Sequence, residues 1–220
     1  MAVDWIVQES APLDQLRQAL EADRVLENNR HPLLNKPRCH IEHIPVYAPT
    51  EAPLTDMNIP FDGTCITSAS LNLLPTSRGS LRLASNDPLD DPLIDPNYFA
   101  SNADKVIMRA ALRRAMAAFE TPEARAFIAE EVPPKGYPTL HSQSSDDEID
   151  ARIKRTAATW FHPGGTCAMG KVVDTKLRFN GVENLRIVDA SVFPLPIAAH
   201  MQGPTYALAE HAAEIIGRQL

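Results

Sequence analysis

A chain of 220 residues, 44% of them hydrophobic, is long enough to fold around a substantial core of one or two domains. Its formal net charge of -7 comes without the clustered Lys and Arg that phosphate backbones or anionic lipids require, so nucleic acid is not expected as a partner. No apolar run approaches the ~20 residues that span a bilayer, and Met1-Ala2-Val3-Asp4-Trp5-Ile6 lacks the basic and apolar regions of a secretory leader, so no membrane partner and a cytoplasmic location are the expectations.

Cys39, Cys65 and Cys167 are odd in number and far apart, which fits buried free thiols and neither a disulfide framework nor a C-x-x-C pair. The 19 prolines exceed the roughly 11 that ordinary usage would supply, and they predict long turns and extended connections in place of an uninterrupted helical bundle.

In chain order, an apolar patch at Trp5-Ile6-Val7 precedes a polar run, Asp14 to Leu20, that reads as a modest helix. Cys39 to Tyr47 alternates polar and apolar side chains, the period of a half-buried strand. On such a strand His40 and Glu42 share one face while His43 points to the other, which predicts a solvated face and no metal site. Thr64 to Leu73 and Gly79 to Ala84, with the turn Pro75 to Gly79 between them, predict an antiparallel hairpin. The triple Asp-Pro repeat from Asp87 to Pro96 predicts an extended connector, because each proline drives the preceding residue out of the helical region.

Ser101 and Asp104 read as a capping box, and Met108, Leu112, Met116 and Phe119 then recur at helical spacing over about 102–120. A short helix starts at Thr121-Pro122-Glu123, and Ser145 with Glu148 caps another whose Ile149, Ile153 and Ala157 share a side. Val172 to Asp174 and Leu185 to Asp189 read as strands separated by Asn180-Gly181, and Pro204 begins a terminal helix with Tyr206, Leu208, Ala209, Ala212, Ala213, Ile215 and Ile216 on its buried sides.

The chemistry concentrates in Trp160-Phe161-His162-Pro163-Gly164-Gly165-Thr166-Cys167-Ala168-Met169-Gly170 and in His200 before the last helix. Imidazole titrates near neutral pH without environmental help, and two such groups on irregular backbone can hold and move protons. Gly164 and Gly165 would let the backbone pass close to a flat ligand. Trp160, Phe161, Phe193 and Met201 suggest an apolar substrate pocket suited to a small, aromatic or polyketide-like molecule.

The run His162 to Gly170, then Val173-Asp174, then Gly181-Val182-Glu183-Asn184-Leu185-Arg186-Ile187-Val188-Asp189-Ala190-Ser191, resembles the C-terminal signature of the glucose-methanol-choline (GMC) oxidoreductases. Ser77-Arg78-Gly79-Ser80-Leu81-Arg82-Leu83 and the Asp-Pro connector resemble the start of the same region, and the match is strongest over 70–220. The resemblance implies an α+β fold, a mostly antiparallel sheet with flanking helices. It would comprise the family's substrate domain plus the C-terminal strand and helix of its flavin domain, without the N-terminal Rossmann portion. Residues 1–38 would form an N-terminal segment of helix and loops, and 39–220 the GMC C-terminal-like domain.

By the same resemblance, His162 takes the hydroxyl proton during CH–OH oxidation while hydride leaves for flavin N5, and His200 orients the substrate or stabilises the alkoxide. Asp189 and Ala190 match a flavin-contacting turn, and Gln202, Gly203, Pro204 and Thr205 match backbone that meets the isoalloxazine ring. FAD is thus the implied cofactor. The family's strand, Gly-x-Gly-x-x-Gly turn and helix, which bind the pyrophosphate, have no counterpart among nine scattered glycines of which Gly63 is the first.

Two functions follow. One is the catalytic half of a flavin-dependent alcohol oxidoreductase with a small-molecule substrate, its flavin-binding half supplied by another chain or lost from a truncated gene. The other is a flavin-independent acid/base enzyme, a dehydratase, lyase or cyclase using the same histidines, since some full-length members of the family catalyse non-redox reactions. Apolar surface near Ile187, Leu208 and Ile215, which the family covers with its flavin domain, predicts a flavin-binding partner or a homo-oligomer at that face.

Overall fold

The alternating stretch after Cys39 becomes the middle strand of a three-stranded antiparallel sheet in the order β1-β2-β3, formed by β1 (Val7–Glu9), β2 (Ile41–Val46) and β3 (Thr67–Asn72). These assignments come from a computed structural model that describes residues 5–28, 30–35, 38–49 and 59–218. The chain divides into two units, Met1–Ser77 with Phe99–Ala158, and Arg78–Tyr98 with Thr159–Leu220. The sheet crosses the predicted 38/39 boundary, because Val7 pairs with His43 and Glu9 with Ile41. Pro45 is tolerated in the middle strand because β1 extends only as far as His43, which leaves that edge of β2 without a ladder to interrupt.

In the first unit, α1 (Leu13–Ala22) and α2 (Asn102–Phe119) pack on each other, and α2 lies against β2 and β3. The helix predicted over 102–120 is present, and it uses two faces. Met108, Leu112 and Met116 pack on Leu140, Ile149 and Ile153 of the segment that includes α4 (Asp146–Thr156). Ala103, Ile107, Ala111 and Ala115 form the fully buried row. The alanines bring the helix axis close to its neighbours, and their small size hid that face from a search for bulky apolar periodicity. The short α3 (Pro122–Arg125) is capped by Thr121, and Ser145 and Glu148 make the reciprocal box expected at α4. Ala157 lies past the end of α4 and is exposed, so the apolar side of that helix is Ile149 and Ile153 alone.

Three expectations in this unit are corrected. The face carrying His40 and Glu42 is not solvated: both side chains are fully buried and His43 nearly so. Hydrogen bonds replace the lost water, which is what burial of polar groups demands. His40 Nδ1 accepts from the Ala11 amide at 3.1 Å and its Nε2 lies 2.6 Å from the Leu33 carbonyl. The Glu42 carboxylate accepts from Gln8 Nε2 at 2.7 Å, and His43 bridges Ser70 Oγ and Glu9 Oε1, each at 3.0 Å. Second, Asp104 does not complete a box with Ser101; the Ser101 hydroxyl accepts from the Asp104 amide, while the buried Asp104 carboxylate accepts from the Thr76 amide at 2.7 Å and the Ser77 amide at 3.0 Å.

That carboxylate explains the third correction. By capturing the chain directly after β3 it prevents the predicted hairpin, and β3 pairs with β2 instead. β4 (Ser80–Arg82) pairs in the second unit with β5 (Leu93–Asp95), which lies inside the Asp-Pro stretch expected to be a featureless connector. Gly79 is obligatory there, since a Cβ at that position would sit 2.1 Å from the Asp95 carbonyl oxygen.

The rest of the second unit is a small core of Val173, Leu177, Val192 and Ala212, with Cys167, Met169, Ile187, Val188 and Leu208 packed around it. The strands predicted at 172–174 and 185–189 shrink to isolated bridges, Val173 with Met169 and Phe179, and Arg178 with Arg186, because tight turns at Gly170 and Gly181 leave segments too short for a ladder. The last helix, α5 (Gln202–Gly217), begins two residues before Pro204, which occupies the first turn where a missing N–H costs nothing. Only Ala212 is buried along it, and Leu208 half-buried. Ile187, Leu208 and Ile215 are half-buried too, and the exposed large apolar side chains of α5 are Tyr206 and Ile216. The three cysteines are free and half-buried. Among the described residues no helix is long and apolar enough to cross a membrane, and no cluster of three His, Cys, Asp or Glu could hold a metal.

Burial pushes the His40 imidazole below its ordinary value of 6.5. The unfolded chain therefore binds a proton that the folded chain resists, so stability is full above about 6.5 and is lost as the pH falls through the lower folded-state value. Denaturant titrations from about pH 7 to pH 5 should record this loss, and His40→Gln should flatten it. Asp104→Ala leaves the Thr76 and Ser77 amides without their acceptor and should lower the unfolding free energy by about 3 kcal/mol, measured at neutral pH.

Candidate functional site

The segment that carries His162 begins with a strained turn. Phe161 has φ 60, a conformation that costs a residue with a Cβ on the order of 1–2 kcal/mol, and its amide donates to Thr159 Oγ1 at 3.1 Å. Next come His162, Pro163 and Gly164, and the last of these lies against the 3-10 turn Ala190–Val192: a Cβ on Gly164 would be 2.9 Å from the Ala190 carbonyl oxygen. The Cys167 amide donates to the Ser191 carbonyl and the Met169 amide to that of Val192, both at 2.9 Å. Asp189 caps the turn by accepting from the Ser191 amide at 2.8 Å.

From that turn the chain runs to His200 and α5. The rings of His162 and His200 meet edge to face, with centroids 5.4 Å apart and planes at 67°. His162 is half-buried and His200 exposed. The Met201 amide points at His162 Nε2 with N···N 3.5 Å.

An open groove of about 670 Å³ runs between this loop and the first two turns of α5. Of the residues singled out in the sequence, Phe161, His162, Ala190, Met201, Gln202 and Thr205 line it. His200 joins through the ring of His162. Asp189, Gly203 and Pro204 belong to the same two turns without forming the wall, and space is open beside Gly203. Trp160 and Phe193 are not wall residues: the left-handed backbone at Phe161 separates Trp160 from the groove side of the loop, and the Phe193 amide closes the 3-10 turn on the Ala190 carbonyl.

Pro163, Tyr206 and Ala209 complete the lining. Their signal was available, since Gln202, Thr205, Tyr206 and Ala209 follow i, i+3, i+4, i+7 spacing along one face of α5. Tyr206 and Ala209, expected on the buried side of the helix, lie with Gln202 and Thr205 on the floor of the groove. The wall is mostly apolar with four polar side chains, His162, Gln202, Thr205 and Tyr206, and the first turn of a helix adds backbone N–H groups that lack intrahelical acceptors.

Comparison with known proteins agrees with this architecture. The family model described as GMC oxidoreductase matches residues 75–209. GMC-type oxidoreductase acuG from Aspergillus aculeatus is 41% identical over 214 residues, which cover 97% of this chain and 41% of that protein. The alcohol dehydrogenase [acceptor] of Pseudomonas putida is 44% identical over 153 residues, 68% of this chain and 27% of its own length. Among solved structures, pyridoxine 4-oxidase from Mesorbium loti superposes with TM-score 0.70 at 31% identity over 83% of this chain and 35% of that one. Formate oxidase from Aspergillus oryzae RIB40, studied for its FAD modification, gives TM-score 0.76 at 28% identity over 93% of this chain and 35% of that one. The chain thus spans about two fifths or less of the length of these relatives. With the model matching more than half of its residues, the chain belongs to the GMC oxidoreductase family, of which it carries the C-terminal domain.

Proposed function

We propose that this chain is the catalytic and substrate-binding half of a GMC-type flavin-dependent alcohol oxidoreductase. The observation that carries the reading is the edge-to-face contact of His162 and His200 at the mouth of a groove floored by the start of α5. Relatives named as alcohol dehydrogenase [acceptor], pyranose dehydrogenase and pyridoxine 4-oxidase lend it support.

The groove suits the ring end of FAD: it is open, flat-sided at Ala190 and at the start of α5, and free of side-chain obstruction beside Gly203. Ala190, Gln202 and Thr205 and the backbone of Gly203 and Pro204 would hold that end. The glycine-rich turn that would hold the pyrophosphate is not among these 220 residues, and a flavin-binding portion outside them would complete the site. FAD, when bound, supplies a two-electron acceptor for the substrate carbon. His162 takes the hydroxyl proton of the alcohol, a role worth about 10²–10⁴-fold. His200 holds the substrate oxygen in place and shares the proton with His162. Phe161, Met201 and Tyr206 exclude water and accept an apolar or aromatic substrate.

The test is to co-express the chain with the glycine-motif-bearing portion of a relative such as acuG and to measure retained FAD and alcohol oxidation. His162→Ala should retain FAD and lose about 10²–10⁴-fold in kcat, and His200→Ala should lose less. Full activity in His162→Ala would overturn the assignment, as would a colourless chain that dehydrates or cyclises a substrate unaided.

The flavin-binding portion should seat on the groove side of α5, where Tyr206 is 67% exposed and Ile216 38%. Without it, the same surface should drive self-association, because large apolar side chains in series are seldom left in water. Light scattering of the concentrated chain should give a mass above 24.2 kDa. Added flavin-binding portion should return the chain to a 1:1 complex.

A further inference from the structure

Thr205 lines the groove and also makes a local hydrogen bond within the first turn of α5. Its hydroxyl donates to the Met201 carbonyl oxygen at 2.7 Å, and its amide donates to the same oxygen at 3.0 Å. Met201 has no other anchor of a conventional capping kind: it stands at the N-cap of α5 with φ -73 and ψ -15, and its side chain makes no capping hydrogen bond. The two donors on one carbonyl therefore fix the first turn of the helix. They also fix the peptide in front of it, whose N–H is the one aimed at His162 Nε2.

We infer that Thr205 is a positioning residue for His162: its hydroxyl locks Met201 so that the amide linking His200 to Met201 holds the His162 imidazole as the Nδ1–H tautomer, with Nε2 as the basic atom. The inference rests on the reading of His162 as the base. The physical argument is one of sign. An N–H pointed at Nε2 stabilises the lone pair and opposes a proton there, since the protonated nitrogen would become a donor facing a donor. At 3.5 Å the contact is long, as hydrogen bonds around catalytic groups are before a ligand closes the site, so a small rotation of the Met201 peptide decides whether it exists. The second consequence concerns His200. It lies on the other side of that same peptide, so the hydroxyl that aims the amide at His162 also fixes where His200 departs from the backbone. One hydroxyl thereby sets the relative placement of two rings that are 38 residues apart in sequence (200 − 162).

The conservative variant separates this role from a general one in helix stability. Thr205→Ser keeps the hydroxyl, and Thr205→Val keeps the branched shape without it. Side-chain nitrogen NMR of the chain itself, with the His162 signals assigned by loss in His162→Gln, needs neither flavin nor substrate. In the parent chain the neutral His162 ring should be the Nδ1–H tautomer. In Thr205→Val it should become a mixture of tautomers, and Thr205→Ser should restore the parent tautomer. An Nε2–H tautomer in the parent chain overturns the inference even if Thr205→Val does not fold. So does a folded Thr205→Val whose His162 tautomer is unchanged, or a Thr205→Ser that behaves like Thr205→Val. A failure of the functional reading is seen elsewhere, as full activity in His162→Ala with these tautomer results intact.

Discussion

Two backbone hydrogen bonds, from the Cys167 and Met169 amides to the Ser191 and Val192 carbonyls, join the loop that carries His162 to the turn that leads to His200. Each is worth on the order of 1 kcal/mol net, which would not hold two irregular segments together. The burial of Val173, Leu177 and Val192 beneath them, at about 1.5–3 kcal/mol per side chain, supplies the larger share. Gly164 makes the joint geometrically feasible, because any Cβ there would collide with the Ala190 carbonyl. The groove, the ring contact and the start of α5 all hang from this joint. A substitution that opens it would therefore act on the site without touching either histidine.

The first unit uses a different economy. A three-stranded sheet offers little apolar area, and its middle strand is buried on both faces with three polar side chains in six residues or beside them: His40, Glu42 and His43. Each has a partner within 3.1 Å, so the usual cost of burying polar groups is offset and a specific register results. Asp104 does similar work at the end of β3, where its carboxylate directs the chain toward α2 instead of into a hairpin. Charge-assisted hydrogen bonds of this kind exceed the modest preference of a turn sequence. Asp23 adds another at the same place, accepting from the Asn102 and Ala103 amides at the N-terminus of α2, where negative charge is favoured.

The composition of the groove bears on how labour is divided in the proposed enzyme. Its wall offers an imidazole, an amide, two hydroxyls and apolar surface, which suits an uncharged ring and a substrate hydroxyl. The groove lies in the C-terminal domain of the family, and the chain spans 41% of the length of acuG.

Much of the helical content was legible from local pattern. The caps at Ser101, Thr121 and Ser145 and the apolar spacing of Met108, Leu112 and Met116 are short-range signals, set by backbone geometry within a turn or two. The grouping of His162 with His200 was legible only as a joint motif, since neither residue by itself differs from an ordinary loop histidine. The partners of each strand, the burial of His40 and Glu42, and the service of Tyr206 and Ala209 as groove floor depended on long-range contacts. A strand's alternation states which residues share a face and not what covers that face, and a helix's periodicity states that one side is apolar and not whether it meets a core or a ligand. The sequence by itself determined the family and most of the helices. Only the tertiary structure decided which polar groups are buried, because that follows from acceptors and donors that arrive from 27 to 34 residues away, such as Ser70 and Glu9 at His43.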